Sequence, residues 1–278
     1  YYPFNGNAND ESGHDNNGTV NGATLAVDRF GDANRTYSFD GTNDAITAQI
    51  TSSLGITDRF AVSAWVNPSS LEHLDYPFIV SGNQGTARGF ALSGKGPVYG
   101  ANKSKAGFYV NDDGSGEVYS NLLPLNSWTL VTATYDGNQY RMYHNGQLVG
   151  TRAANAGGNI RQIDRFNIGH DNHGEIAKQY WKGGIDDVRI YDRALSGSEV
   201  GWLYELERPG APAITAQPQD VNAVLGTAAS FTVEAGGSGL TYQWKKEGMD
   251  INGSTGSTHT IDPTAYSNEG IYTVVVSN

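Results

Sequence analysis

Short apolar runs with a two-residue alternation dominate the chain, and helical periodicity is scarce. Phe60-Ala-Val-Ser-Ala-Trp-Val66 and Trp128-Thr-Leu-Val-Thr-Ala-Thr-Tyr135 alternate and are rich in β-branched and aromatic residues, as strands are. Tyr140-Arg-Met-Tyr-His144 predicts a further strand. Asn145-Gly146 and Gln147-Leu-Val-Gly150 behind it predict a two-residue hairpin turn and its return strand. Gly184-Ile-Asp-Asp-Val-Arg-Ile-Tyr191 predicts another. Strands this short, separated by Gly, Asn and Asp, predict an antiparallel sandwich. One helix is expected over 196–206, with Ser196 as its cap and Glu199 completing a capping box.

Arg208-Pro-Gly-Ala-Pro212 interrupts both helix and ladder and reads as a linker. A second set of strand signals follows: Phe231-Thr-Val233, Leu240-Thr-Tyr-Gln-Trp244 and the segment from Tyr266 to Tyr272. The expected organisation is therefore one domain over 1–207, a linker over 208–212 and a smaller domain over 213–278.

Composition supports an all-β reading. Among 278 residues, 36 glycines and 16 tyrosines accompany an apolar fraction of 38%, which suits many turns between short strands. There is no cysteine, so no disulfide and no thiolate metal site is expected. A net charge of −11 argues against nucleic acid as a partner and suits calcium binding. No apolar run reaches the roughly 18 residues of a membrane-spanning helix, so no membrane insertion is expected. The chain opens at Tyr1 with neither methionine nor a signal peptide. We read it as a piece of a longer, secreted parent chain carrying other domains.

Tyr2-Pro-Phe-Asn-Gly-Asn-Ala-Asn-Asp10 with Ser12-Gly13, Ser38-Phe-Asp-Gly-Thr-Asn-Asp44, Val62-Ser-Ala-Trp-Val66, Thr134-Tyr-Asp-Gly137, Tyr143-His-Asn-Gly146 and Lys182-Gly-Gly-Ile-Asp-Asp-Val-Arg-Ile-Tyr191 with Arg193-Ala-Leu195 occur in this order. Together they resemble the bacterial laminin-G-like, concanavalin-A-like jelly rolls. The resemblance implies an antiparallel two-sheet jelly-roll sandwich, and it says little about ligand, because this fold hosts lectins, adhesins and enzymes. The tail resembles a bacterial immunoglobulin-like domain, a small second β-sandwich. Trp244 takes the place of its buried strand tryptophan, Glu269-Gly-Ile-Tyr272 looks like its tyrosine corner, and Val233 and Val274 stand where cysteines are usual. Only Thr273 to Asn278 follow, so the tail is expected to be incomplete, with an unpaired sheet edge and lower stability than the jelly roll.

Oxygen-bearing loops are the strongest site signal. Calcium takes six to eight oxygens, and Asn5–Asp10, Asp40–Asp44 and Asp186-Asp187 offer carboxylates and turn carbonyls. Strand parity sets Asp186 on the apolar face with Val188 and Ile190, which favours Asp186 over Asp187 as a ligand. In the resembled family the metal ties the N-terminal segment to the last strand, which implies a structural Ca²⁺ held by Asn5, Asn7, Asp40 and Asp186. The bland alternative is that these residues are turn formers and caps.

Sugar binding needs aromatic platforms and fixed polar groups. His73 with Tyr76, the loop of His170, Asn172 and His173, and Tyr180 with Trp181 supply both. Arg88, Lys103 and Lys105 form a basic set that suits a uronate or sulfate group. Trp181 can equally be a core residue, and the His170–His173 loop plain surface. Zinc on His170 and His173 would want a third ligand such as Asp171 or Glu175, but the histidines lie in an expected loop with no helix to align them. No paired carboxylates on one strand mark a glycosidase, and Tyr140, Arg141, Tyr143 and His144 only weakly imitate a lyase site. The expected function is a non-catalytic carbohydrate-binding module of a secreted, polysaccharide-degrading bacterial protein. Its expected partner is a polysaccharide, an anionic one included. The alternatives are an adhesin or spacer without a sugar ligand, and a jelly-roll glycoside hydrolase or polysaccharide lyase.

Overall fold

The structure is a computed structural model describing residues 1–50, 55–71, 76–84, 87–111, 116–154, 160–171, 179–237 and 239–278. The chain divides into two compact units, Tyr1–Tyr204 and Glu205–Asn278.

The larger unit contains β1 (Gly18–Asn21), β2 (Thr24–Ala26), β3 (Thr36–Asp40), β4 (Ala45–Gln49), β5 (Phe60–Pro68), β6 (Phe78–Gln84) and β7 (Ala87–Gly94). It continues with β8 (Lys105–Val110), β9 (Val118–Leu122), β10 (Thr129–Tyr135), β11 (Gln139–His144), β12 (Gln147–Ala153), β13 (Arg165–Ile168) and β14 (Lys182–Tyr191). Two antiparallel sheets result. The first has the order β1-β4-β13-β6-β7-β8-β9, and the second β12-β11-β10-β5-β14-β3-β2. The long-range neighbours β5–β14 and β4–β13 make this a jelly-roll sandwich rather than a meander.

Alternation decides which side chains meet between the sheets. Phe60, Val62, Ala64 and Val66 of β5 join Val131 and Ala133 of β10 in one buried cluster. Phe90, Leu92, Phe108 and Val110 meet them from the first sheet. Every one of these is at most 2% exposed, so the core is dry and continuous, the main stabilising term of such a unit. The hairpin turn forms as its sequence predicts: Asn145 and Gly146 both take positive φ, 48° and 78°, the type I′ requirement.

The outer side of the second sheet is sealed by α1 (Gly197–Glu207). Ser196 and Glu199 form the expected capping box, with Glu199 N–H donating to Ser196 Oγ at 3.2 Å and Ser196 N–H to Glu199 Oε2 at 2.8 Å. Val200 packs on Ala61, Tyr143 and Leu195. Tyr204 packs on Trp65, with ring centroids 5.9 Å apart.

One parity expectation fails. The register of β14 on β5 shifts between Asp186 and Arg189, and Asp187 takes φ +46°. This bulge puts Ile185 and Val188 both into the core. Asp186 and Asp187 are consequently both buried, at 2% and 8% exposure, and simple alternation cannot choose between them.

The smaller unit holds β15 (Ala213–Ala216), β16 (Ala229–Thr232), β17 (Glu234–Gly236), β18 (Thr241–Lys246), β19 (Met249–Asp250), β20 (Thr258–Ile261) and β21 (Tyr272–Ser277). Its pairings are β15-β17, β16-β20 and β19-β18-β21. Trp244 and Val233 are its fully buried side chains among the described residues, and Trp244 Nε1–H donates to the Gly256 carbonyl at 2.9 Å. Val274 lies opposite Trp244 and is half-buried. The Tyr272 hydroxyl donates to the Asn268 carbonyl at 2.8 Å, which closes the tyrosine corner.

With so few buried apolar side chains, this unit depends on one indole. Trp244→Ala should destabilise it by about 3–5 kcal/mol, enough to unfold it, while the strands around Val131 keep their protection. Hydrogen exchange read at β18 and β21 checks this, and unchanged protection there would contradict it.

Candidate functional site

The first sheet has an outer face that does not look like an ordinary solvated surface. Cross-strand pairs place Ser81 opposite both Asn167 and Ala91, Phe78 opposite Ser93, Ala91 opposite Tyr109, and Gly107 opposite both Ser93 and Tyr119. Their chain neighbours Val80, Phe90, Leu92 and Phe108 point into the core, so this set shares the opposite face.

Two charged pairs are buried there. Asp171 is 0% exposed and Arg88 8%. Arg88 donates to Asp171 Oδ2 through both Nε and a terminal nitrogen at 2.5 Å. Ser81 Oγ and Asn83 Nδ2 donate to Asp171 Oδ1, at 3.1 Å and 2.7 Å. Asn167 Nδ2 reaches Ser81 Oγ at 3.4 Å, and Thr47 Oγ1 reaches Asn167 Oδ1 at 3.2 Å. The polar network thus crosses β4, β13, β6 and β7.

The second pair is Lys95 with Glu117, 2.5 Å apart, with Lys95 0% exposed. Lys95 Nζ also donates to Ser93 Oγ at 3.1 Å and sits 4.0 Å from the Tyr76 ring centroid. Burial pushes the Lys95 ammonium down to about 8, against the opposing charge of Glu117. Burial and then Glu117 push the Tyr119 hydroxyl up to about 12. Gly107 leaves room for this pair: a Cβ there would meet Glu117 Oε1 at 2.2 Å and Lys95 Cε at 2.5 Å. Aromatic rings adjoin both pairs. Phe78, Ala91 and Tyr109 form an apolar patch with Tyr76 beside it, and Arg88 lies 5.1 Å from the Phe78 ring centroid.

Several of the sequence-derived ligand candidates belong to this face. Arg88 is in the first pair, Tyr76 flanks the second, and the His170 carbonyl accepts from Ser81 Oγ at 3.3 Å. His170 stacks on Tyr180 with centroids 4.0 Å apart, and burial pushes its imidazole down. Lys105 Nζ donates to Asn102 Oδ1 at 3.3 Å and Lys103 is exposed, whereas the partner of Arg88 is a carboxylate. Trp181 is not a platform. It is 0% exposed, belongs to the main core cluster and donates Nε1–H to the Gly184 carbonyl. His73, Asn172 and His173 lie outside the described residues. Sequence reasoning missed Ser81, Asn83, Ser93 and Lys95 as site residues, although polar residues at alternate positions of two apolar strands were their signal. It weighed Asp171 only as a possible third zinc ligand beside His170 and His173, and Glu117 only as a loop residue.

The four proposed calcium ligands are not brought to one point. Asp40 pairs with Lys182 and Tyr37 with Ile185, so Asp186 is four positions along the ladder from Asp40, about 13 Å at the rise of a strand. Each is also engaged. Asp40 Oδ1 caps the Thr42 and Asn43 amides, Asn7 Oδ1 accepts from Asn9 N–H, and Asn5 Oδ1 accepts from Arg35 at 2.6 Å. Among the described residues no His, Asp and Glu trio is arranged to hold a metal. These residues do not fit one Ca²⁺.

A guanidinium occupies the space between the two strand aspartates instead. Arg29 donates to Asp186 Oδ2 and to Asp187 Oδ2, both at 2.7 Å, with its side chain 4% exposed. It lies 4.7 Å from the Trp65 ring centroid and 4.4 Å from that of Phe30. One planar cation thereby ties the segment after β2 to the last strand. Burial, then the Asp187 charge, push the Asp186 carboxyl up to about 8, with Arg29 opposing.

With this geometry in view, the family can be read. The model of the Concanavalin A-like lectin/glucanases superfamily matches residues 40–201, more than half of the chain. The chain belongs to this superfamily. The model of the immunoglobulin domain matches residues 211–278 behind it. Among solved structures, this superfamily member resembles the binding domain of botulinum neurotoxin serotype G at 17% identity and a TM-score of 0.57, with 72% of this chain and 48% of that one covered. It resembles the binding domain of paraclostridial mosquitocidal protein 1 at 19% and 0.58, with 86% and 55% covered. The chain thus spans about half the length of those two domains. Domain 4 of AbnA, an extracellular arabinanase from Geobacillus stearothermophilus, solved with arabinotriose, matches at 19% and 0.55, with 73% of this chain and 96% of that domain covered. At these identities the likeness is one of fold. No curated protein matches the chain.

Two outcomes follow from the Arg29 clamp. Arg29→Ala takes the guanidinium away from the buried Asp186–Asp187 pair and should lower unfolding free energy by about 3–5 kcal/mol, read by denaturant melts; a loss under about 1 kcal/mol would contradict the clamp. Asp186 titrates near 8 when folded against an ordinary 3.8, so the folded state holds a proton that the unfolded chain releases between those values. Its contribution to stability should fall as pH rises through that window, and Asp186→Asn should flatten the slope. An unaltered slope in the variant would refute the assignment.

Proposed function

We propose that the larger unit is a non-catalytic carbohydrate-binding module of an extracellular protein, and that its ligand lies on the outer face of the first sheet. The observation that carries this reading is the pair of buried ion pairs, Arg88–Asp171 and Lys95–Glu117, beside aromatic rings on a face turned away from the core. Buried charges add little to stability over an apolar packing of the same volume, so such a constellation is more at home in a binding site than in a scaffold. Rings with fixed donors and acceptors beside them are what a sugar needs: apolar C–H faces against the rings, hydroxyls against the polar groups.

Binding without turnover is supported by the state of the two carboxylates. Asp171 accepts from Ser81, Asn83 and Arg88, and Glu117 is held by Lys95. Carboxylates whose oxygens are taken up by partners within the chain in this way are not offered to a substrate. Fold likeness to toxin binding domains and to an arabinanase domain that holds arabinotriose supports the same class of function. The extracellular arabinanase also supports secretion.

Affinity electrophoresis of the whole chain through gels containing plant and algal polysaccharides should show retardation by at least one of them, with no new reducing ends or unsaturated products after prolonged incubation. Released oligosaccharide would replace binding with catalysis. Free migration through every gel would leave an adhesive or spacer role. Trp181→Ala should cost about 3–5 kcal/mol of stability as a core truncation. A folded Trp181→Ala chain of normal stability but weakened retardation would instead make Trp181 a ligand platform.

A further inference from the structure

Independently of the carbohydrate-binding reading, we propose that β21 is a self-association edge: two copies of the chain pair their β21 strands antiparallel about a two-fold axis normal to the sheet. A strand at a sheet edge presents unpaired N–H and C=O groups to any other extended strand, and proteins blunt such edges with short strands, charges or covering segments. The larger unit does so. Its edge strands β1 and β2 have four and three residues, and Gly18 N–H at the start of β1 donates to the Ala8 carbonyl at 2.8 Å. The opposite edges of its two sheets, β9 and β12, lie against each other. A Cβ on Gly150 of β12 would meet the Tyr119 carbonyl oxygen at 2.2 Å, and Arg152 Nη1 donates to the Glu117 carbonyl at 3.5 Å. In the smaller unit, β19 has two residues and carries Asp250, paired with Lys245 at 3.0 Å.

β21 has none of these protections. It is six residues long, Tyr-Thr-Val-Val-Val-Ser, without charge, proline or glycine, and it forms the edge of its sheet beside β18. Antiparallel pairing turns the backbone groups of every second residue towards β18 and those of the others away from it. Among the described residues no other strand takes up the groups turned away. The side chains agree. Tyr272 stacks on Phe231 with centroids 4.7 Å apart, and Val274 lies opposite the buried Trp244, so Tyr272, Val274 and Val276 share the inward face. All three nevertheless stay half-buried, and a strand added at this edge would cover them.

The partner that this edge fits is a second β21. Each strand supplies the donors and acceptors that the other lacks, the β-branched valines meet apolar mates, and no like charges are opposed. The two three-stranded sheets then continue into each other, and an isologous contact of this kind closes at two copies. A strand pair this short buries less than the roughly 1,200 Å² of a stable interface, so the association is weak. The net charge of −11 on each copy opposes it at long range, so salt should strengthen it.

Sedimentation of the whole chain over about 5–500 µM, at about 0.05 M and about 0.5 M NaCl, tests this. The expected result is a monomer–dimer equilibrium that tightens several-fold at the higher salt. Thr273 and Val275 are exposed, so Thr273→Lys with Val275→Lys sets cations against cations across the two-fold and should weaken the dimer at least tenfold. Trp202→Ala, on the exposed side of α1, should leave it unchanged. Hydrogen exchange of the parent chain gives a second readout that does not depend on the lysine variant folding: the β21 amides turned away from β18 should gain protection as concentration rises. A chain that stays monomeric throughout overturns the inference, as does a dimer in which those amides exchange at an unchanged rate. A dimer that the two lysines leave intact and Trp202→Ala dissolves moves the contact to α1. Assembly that grows past two copies contradicts the closed two-fold pairing.

Discussion

The two seven-stranded sheets must bury their inner faces against each other, and that constraint sets the position of almost everything else. Once Phe90, Leu92 and Phe108 fill the space against Phe60 and Val62, strand alternation turns Ala91, Ser93, Gly107 and Tyr109 to the far side. The same alternation on β6 and β13 brings Ser81 and Asn167 to that side. The candidate binding face is thus a consequence of core packing. Its residues need no special loop to be gathered, because hydrogen-bonded ladders already hold them at fixed spacing, which is the rigidity a recognition surface needs. The second sheet has no such freedom, since α1 covers Ala61 and Tyr143 on its outer side.

Charge is used sparingly but under cover. The chain carries a net charge of −11, yet three groups of buried charged side chains among the described residues occur as matched sets: Arg88 with Asp171, Lys95 with Glu117, Arg29 with Asp186 and Asp187. The first two belong to the binding face. The third has a different task. It holds the bulged part of β14 to the segment after β2, and Arg29 lies against Trp65 while doing so. A guanidinium suits this position because it is planar, permanently charged and able to address two carboxylates at once. The clamp gives the strand aspartates a partner from within the chain.

Much of the fold was legible before any coordinates. Alternation marked β5, β10 and β14, Asn145-Gly146 marked the hairpin, and Ser196 with Glu199 marked the helix start, because each rests on local physics that tertiary contacts left undisturbed. The site was less legible. Tyr76, Arg88 and His170 were recognised as candidates, but the carboxylates that neutralise or flank the cations come from distant segments: Asp171 is 83 residues from Arg88. Asp186 was assigned by a parity that the bulge at Asp187 breaks, and the calcium set drawn from it does not converge. Trp181 read equally well as platform or core from sequence, and only packing decides that it is core.

The claim that ligand binds the outer face of the first sheet is tested most directly by hydroxyl-radical footprinting with and without a retained polysaccharide. Tyr76 and Tyr119, both half-buried on or beside that face, should lose reactivity when the ligand is present, whereas Trp202, 71% exposed on α1, should react as before. Protection at Trp202 with Tyr76 and Tyr119 unchanged would contradict the account and move the binding surface to the helix side of the unit.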